Sequence, residues 1–179
     1  MELCIGKCYN KGMFCSSSGN GVSGWDVSLE RRQIVDKFYV ALNDLQNDDN
    51  VCKLKSFRQH RATTRFDHSK NGALCSYNIS KKLRLKVDGE ALARGAMLHD
   101  FFMYDTKSKE VSAYRHGFKH AEVAMRNAML IYSLSTLEKN IIYSHMWPLN
   151  ITHLPKSKEA ALVCVADKYC AVKEFFGRV

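Results

Sequence analysis

The stretch Ala91-Leu92-Ala93-Arg94-Gly95-Ala96-Met97-Leu98 is apolar almost throughout and made largely of small residues, and it runs directly into His99-Asp100. Asp88-Gly89-Glu90 in front of it reads as a helix start, so the stretch predicts a buried helix. Small side chains let neighbouring helices come close. An imidazole and a carboxylate at the end of such a helix are costly to bury without partners. They can both turn toward one metal ion, or one can bind while the other orients.

The rest of the chain supports the same fold class. Leu29, Ile34, Val35, Phe38, Tyr39, Leu42 and Leu45 fall at helical spacing over 28–45, with Ser28 as the cap. The polar run Gln46 to Asn50 ends that helix. A helix starting at Thr63 or Thr64 carries His68 and runs through Leu74, Tyr77, Ile79 and Leu83. Residues 105–115 are polar and read as a loop, 119–132 as a helix, and Thr136 to His145 as another with Ser135 at its start. Pro148 and Pro155 bracket a loop, and Lys158 to Phe175 is a last helix that carries Asp167. No segment has a convincing period of two. The apolar run Ala161 to Val165 continues into helical neighbours on both sides. The expected architecture is an all-α bundle over 28–179, preceded by a flexible Gly/Ser/Cys-rich segment at 1–27.

Composition narrows the partners. The formal net charge of +9 favours anions: phosphates, nucleotides, nucleic acid or an acidic membrane surface. The basic residues are spread along the chain and do not choose among these. No run approaches the roughly 18 apolar residues of a membrane span. The first residues lack a basic segment followed by an apolar one, so a cytoplasmic location is expected. The 7 cysteines are odd in number and irregularly spaced, which fits reduced thiols better than a disulfide framework. Cys4, Cys8 and Cys15 lack a fourth nearby ligand and the close spacing of a zinc knuckle.

The order His68, then His99-Asp100, then Asp167, each on an expected helix, resembles the HD-domain family of metal-dependent phosphohydrolases over roughly residues 57–173. The resemblance implies an HD-type helical bundle in which His68, His99, Asp100 and Asp167 hold one metal ion. Many members add histidines that build a second metal site. His116-Gly117-Phe118-Lys119-His120-Ala121-Glu122-Val123-Ala124 resembles the family stretch His-Pro-x-x-Gly-Ala-Glu-Ile-Ala, which selects His116 and puts His120 at the glycine position. His120 lies one helical turn from His116 and is the alternative ligand. Ile141-Ile142-Tyr143-Ser144-His145 resembles a stretch that often ends in His-His, with Ser144 replacing the first of the pair. The second site is therefore expected at His116 and His145.

Imidazole suits zinc, iron, nickel or manganese, and carboxylate suits the harder ions, so one or two divalent transition-metal ions are expected. The activity implied is hydrolysis of a small phosphorylated substrate, a nucleotide in the first instance, by metal-activated water. Asp100 is the expected proton acceptor as well as a ligand. Arg65, three residues before His68, is expected to neutralise phosphate through its two-pronged guanidinium. Lys119 and Lys168 are weaker choices for that task. The chain departs from the family in three places. His99-Asp100 is followed by Phe101-Phe102-Met103 where many members have Ile-Gly-Lys, Ser144 stands in for a histidine, and Cys170 stands where some members carry an aspartate. The cyclic-dinucleotide branch is disfavoured, since its Gly-Tyr-Pro signature is missing. Two other readings stay open: a two-iron oxygenase on the same fold, and a non-catalytic module that binds nucleotide or nucleic acid. Nucleic acid is less favoured than a small substrate. Oligomeric state has no signal in the sequence.

Overall fold

A computed structural model describes residues 27–60, 63–103 and 113–177. The expected flexible segment, with Cys4, Cys8 and Cys15, therefore lies almost wholly outside the described residues. Among these residues the helices are α1 (Val27–Gln46), α2 (Asp49–Cys52), α3 (Arg65–Lys82), α4 (Gly89–Leu98), α5 (Ala113–Ile131), α6 (Thr136–Ser144) and α7 (Lys158–Phe175). The fold is all-α, as the periodicity predicts. A short 3-10 helix (Lys53–Ser56) and two brief antiparallel strands, β1 (Arg58–His60) and β2 (Thr63–Thr64), lie between α2 and α3. The strands are a correction to the sequence reading. They are too short for a period of two to register.

Helix starts are set by local chemistry. The Thr64 hydroxyl accepts from the Asp67 backbone N–H, the Asp88 carboxylate from Ala91, and the Ser157 hydroxyl from Ala160. Ser135 and Glu138 form a reciprocal capping box at the start of α6. Helix α5 begins at Ala113, earlier than the expected 119, so the polar run does not remain loop to its end. Ser28 lies inside α1 rather than at its cap.

Helix α4 is the hub. It packs against α1, α3 and α6, and nearly every residue it contains is buried. Its small residues make that possible. A Cβ placed on Gly95 would come within 2.7 Å of Ile141 on α6, and one on Gly72 of α3 would lie 3.7 Å from the His99 ring. The apolar core gathers Phe38 and Leu42 of α1, Tyr77 of α3, Leu92 and Met97 of α4, Ile141 and Ile142 of α6 and Val163 of α7. Phe38 and Tyr77 stack at 4.1 Å between ring centres. Beyond the end of α4 this core gives way to a cluster of polar side chains, and that is where His99 and Asp100 sit.

Candidate metal centre

His99 is the residue that ends α4, and His145 is the residue that ends α6. A helix leaves its last carbonyls without intrahelical partners. Each histidine fills one. His99 Nδ1 donates to Ala96 O at 2.7 Å, and His145 Nδ1 donates to Ile142 O at 2.7 Å. The same bond turns each Nε2 inward. His68 sits in the first turn of α3, and its ring is held from α7 instead: Nε2 lies 3.0 Å from Asp167 Oδ1 and Nδ1 lies 2.9 Å from Glu174 Oε2.

These side chains form two groups that share Asp100. The first is His68, His99 and Asp100; the second is Asp100, His120 and His145. Asp100 Oδ2 is 4.0 Å from His68 Nε2 and 3.8 Å from His99 Nε2. Its Oδ1 is 3.5 Å from both His120 Nε2 and His145 Nε2. Asp167 Oδ1 adds to the first group, 3.6 Å from His99 Nε2. All four histidines and Asp100 are buried. Donors about 2.0–2.2 Å from an ion lie about 3.0–3.5 Å from each other, so the spacing fits a divalent ion in each group after small adjustments.

Two orphaned atoms make the same point. His99 Nε2 and Asp100 Oδ1 are buried and have no hydrogen-bond partner. Buried polar atoms are almost always paired. One orphan lies in each group, and each faces the atoms a cation would join. In the second group His120 Nε2 and His145 Nε2 face each other at 2.9 Å. Because His145 Nδ1 already donates to Ile142, its Nε2 carries the lone pair, and His120 must supply the proton in the absence of an ion.

The charges differ sharply between the groups. Burial alone would lower the His68 pKa, but its bonds to Asp167 and Glu174 and the field of Asp100 hold it at about 10. His99 is also raised, since Asp100 and Asp167 outweigh its desolvation. Asp100 and Asp167 are held well below the usual carboxylate range: burial pushes both up, and the surrounding histidines win. His145 goes the other way, to about 3, because burial and the neighbouring His99 and His120 oppose its charge.

The residues expected from sequence divide as follows. His68, His99, Asp100, Asp167 and His145 are brought together. His116 lies on α5, but its side chain is outside the described residues. Among the described side chains of α5, the neighbour of His145 and Asp100 is His120, the residue that the family stretch places at a glycine. Arg65 needs correction. It is fully buried, donates through Nε to Gln59 Oε1 at 3.1 Å and through Nη1 to Phe102 O at 2.7 Å, and stacks 3.8 Å from the Phe102 ring centre. A guanidinium so committed is not presented to a substrate phosphate. Gln59, for which the sequence gives no signal, donates to Asp100 Oδ2 at 2.6 Å and accepts from Arg65 Nε, so it links Arg65 to the site. Lys168 Nζ lies 3.1 Å from Asp167 Oδ2, also donates to His145 O, and keeps a partly exposed side chain. Lys119, the other weak choice for phosphate, is exposed on α5.

The family model of the HD domain matches residues 65–172. The chain belongs to the HD-domain family. It thereby joins a superfamily of metal-dependent hydrolases, and its buried His/Asp groups suit a divalent metal. No curated protein and no solved structure matches it. No helix among the described residues of this HD domain is long and apolar enough to cross a membrane.

Proposed function

We propose that this HD domain is a phosphohydrolase acting on a small phosphorylated substrate, first of all a nucleotide, with a divalent transition metal at each of the two groups. The observation that carries this reading is the single Asp100 carboxylate shared between two buried sets of imidazole nitrogens, with an orphaned atom in each. His68, His99, Asp100 and Asp167 are the ligands of the first ion, and Asp100, His120 and His145 those of the second. His120 takes the place that the sequence reading gives to His116. A divalent ion in such a site polarises phosphoryl oxygen and lowers the pKa of water toward about 7.

The protein's own part is positioning and charge. Gln59, steadied by Arg65, fixes Asp100 so that one oxygen serves each group. Both oxygens of Asp100 face imidazole nitrogens, Oδ2 toward His68 and His99 and Oδ1 toward His120 and His145, which suits it to the role of shared ligand. With Arg65 withdrawn, Lys168 is the cation placed to meet a substrate oxygen, beside Asp167. The net charge of +9 favours approach of an anionic substrate.

The test pairs elemental analysis of wild type and His99→Ala with a screen of nucleotides and other phosphate esters. Bound transition metal in wild type, its loss in the variant, and metal-dependent release of phosphate or a phosphomonoester are expected. Binding of nucleotide without turnover replaces the hydrolase with the non-catalytic module. Two irons and consumption of dioxygen replace it with the oxygenase.

A further inference from the structure

His68 is the one histidine of the first group that its own helix cannot hold. His99 and His145 use a free carbonyl at a helix end, but His68 stands in the first turn of α3, where the carbonyls serve the helix ladder. Its Nδ1 needs a partner from elsewhere, and Glu174 supplies it at 2.9 Å. Glu174 lies seven residues beyond Asp167, about two turns of α7, so one face of one helix grips both nitrogens of the ring.

The location of Glu174 is otherwise unfavourable. Only 2% of it is exposed, and an unpaired carboxylate there is expensive. It also sits in the last turn of α7, where the helix dipole repels negative charge. Both oxygens are used: Oε2 by His68 and Oε1 by Asn71, whose Nδ2 donates at 3.3 Å from one turn further along α3. We infer that Glu174, steadied by Asn71, is a positioning residue that fixes the His68 ring with Nε2 turned to the first ligand group. Its link to metal binding rests on the reading given under Proposed function; its hold on the ring does not. A metal-ligating imidazole commonly donates its second N–H to a carboxylate, and loss of that partner typically costs about 10–100-fold in metal affinity or activity.

The experiment measures Mn2+ binding by calorimetric titration in wild type, Glu174→Ala, Glu174→Gln and Asn71→Ala. Mn2+ favours oxygen and imidazole donors over thiols, so the cysteines stay out of the measurement. Glu174→Ala is expected to weaken Mn2+ binding about 10–100-fold. Glu174→Gln, which keeps an acceptor, restores most of it, and Asn71→Ala loses a few-fold. Equal binding by Glu174→Ala and wild type overturns the inference, as does a glutamine variant no better than the alanine one. The metal-free proteins give a readout that needs no ion: a slowly exchanging His68 Nδ1 proton resonance, present in wild type and Glu174→Gln and missing in Glu174→Ala. Its absence from wild type also overturns the inference. Its presence in a wild type that takes up no Mn2+ supports Glu174 as the holder of His68 while removing the metal reading. Should the alanine variant fail to fold, the glutamine and Asn71→Ala proteins are read the same way.

Discussion

The two ligand groups share a carboxylate but prepare for a cation in different ways. In the first, His68 is drawn toward its charged form by carboxylates on either side, so a proton occupies the place of positive charge. In the second, His145 is held neutral to about pH 3 and its Nε2 lone pair faces inward. Metal ligands must be deprotonated. The first group must release protons to take an ion, whereas the second already has its lone pair in place. The physical source is the company each ring keeps: His68 has Asp167, Glu174 and Asp100 around it, and His145 has two other histidines and only part of Asp100.

Asp100 is where the two groups can be broken together. Asp100→Asn is expected to empty both, with loss of metal greater than the roughly 10–100-fold that follows removal of a ligand's supporting partner. Hydrolysis of any substrate found should fall to background. Elemental analysis with a turnover assay checks this. Retention of one full equivalent of metal by the asparagine variant would show that one group does not depend on the shared carboxylate.

Substitutions confined to the second group should spare the first. His120→Ala and His145→Ala are each expected to lower metal content by one equivalent and leave the other in place, while His116→Ala leaves the content at the wild-type value. Metal content of the three proteins, prepared side by side, checks the assignment. A loss in His116→Ala together with no loss in His120→Ala returns the second site to the residue favoured by the family stretch.

The opposite shifts also predict a pH dependence for the metal-free protein. The His68 pKa rises from an ordinary 6.5 to about 10 on folding, so its stabilising effect is present below pH 6.5 and is lost as pH climbs toward 10. The His145 pKa falls to about 3, so the unfolded chain gains a proton below 6.5 that the folded protein refuses, and stability drops on that side. Thermal unfolding followed across pH should therefore peak near 6.5. His68→Gln is expected to flatten the alkaline limb and His145→Gln the acid limb. A single limb shared by both variants would contradict the separation of charge between the groups.

Legibility in the sequence followed the locality of the signal. Helices α3, α4 and α6 could be read from caps and periodicity, because Thr64, Asp88 and Ser135 act on the turn next to them, and α7 from the continuity of its apolar run with helical neighbours. His99-Asp100 stood out because a polar pair ends an apolar helix. Helix α5 was harder: two histidines one turn apart satisfy the same pattern, and the choice between them depends on how α5 faces α6. Glu174 carried a signal that could have been used, since it follows Asp167 by seven residues, about two helical turns, and so falls on about the same face. Gln59 carried none; its bond to Asp100 joins positions distant in the chain and depends on the short strand pair. For Arg65, spacing gives a place near His68 but says nothing of Phe102, which receives its guanidinium.

The smallest expected effect concerns the joint between the groups. Helix α4 carries the end that holds His99 and Asp100, α6 carries the end that holds His145, and Gly95 is where the two helices touch. Alanine at Gly95 would place a methyl 2.7–2.8 Å from three carbons of Ile141, including its Cβ, which cannot swing aside. Overpacking of this kind costs about 1–3 kcal/mol. Exchange of glycine for alanine inside a helix returns roughly 0.5–1 kcal/mol. The net loss for Gly95→Ala is therefore about 1 kcal/mol, visible as a fall of a few degrees in Tm. Its consequence for the site should be unequal. Ile141 lies one turn before His145, so pushing α6 away moves His145 from Asp100 while His68, Asp167 and their contacts with α3 and α7 stay in place. Metal titration of Gly95→Ala should then show the second equivalent weakened more than the first. Equal weakening of both would mean that α4 itself shifts, carrying Asp100 out of register with the two groups at once.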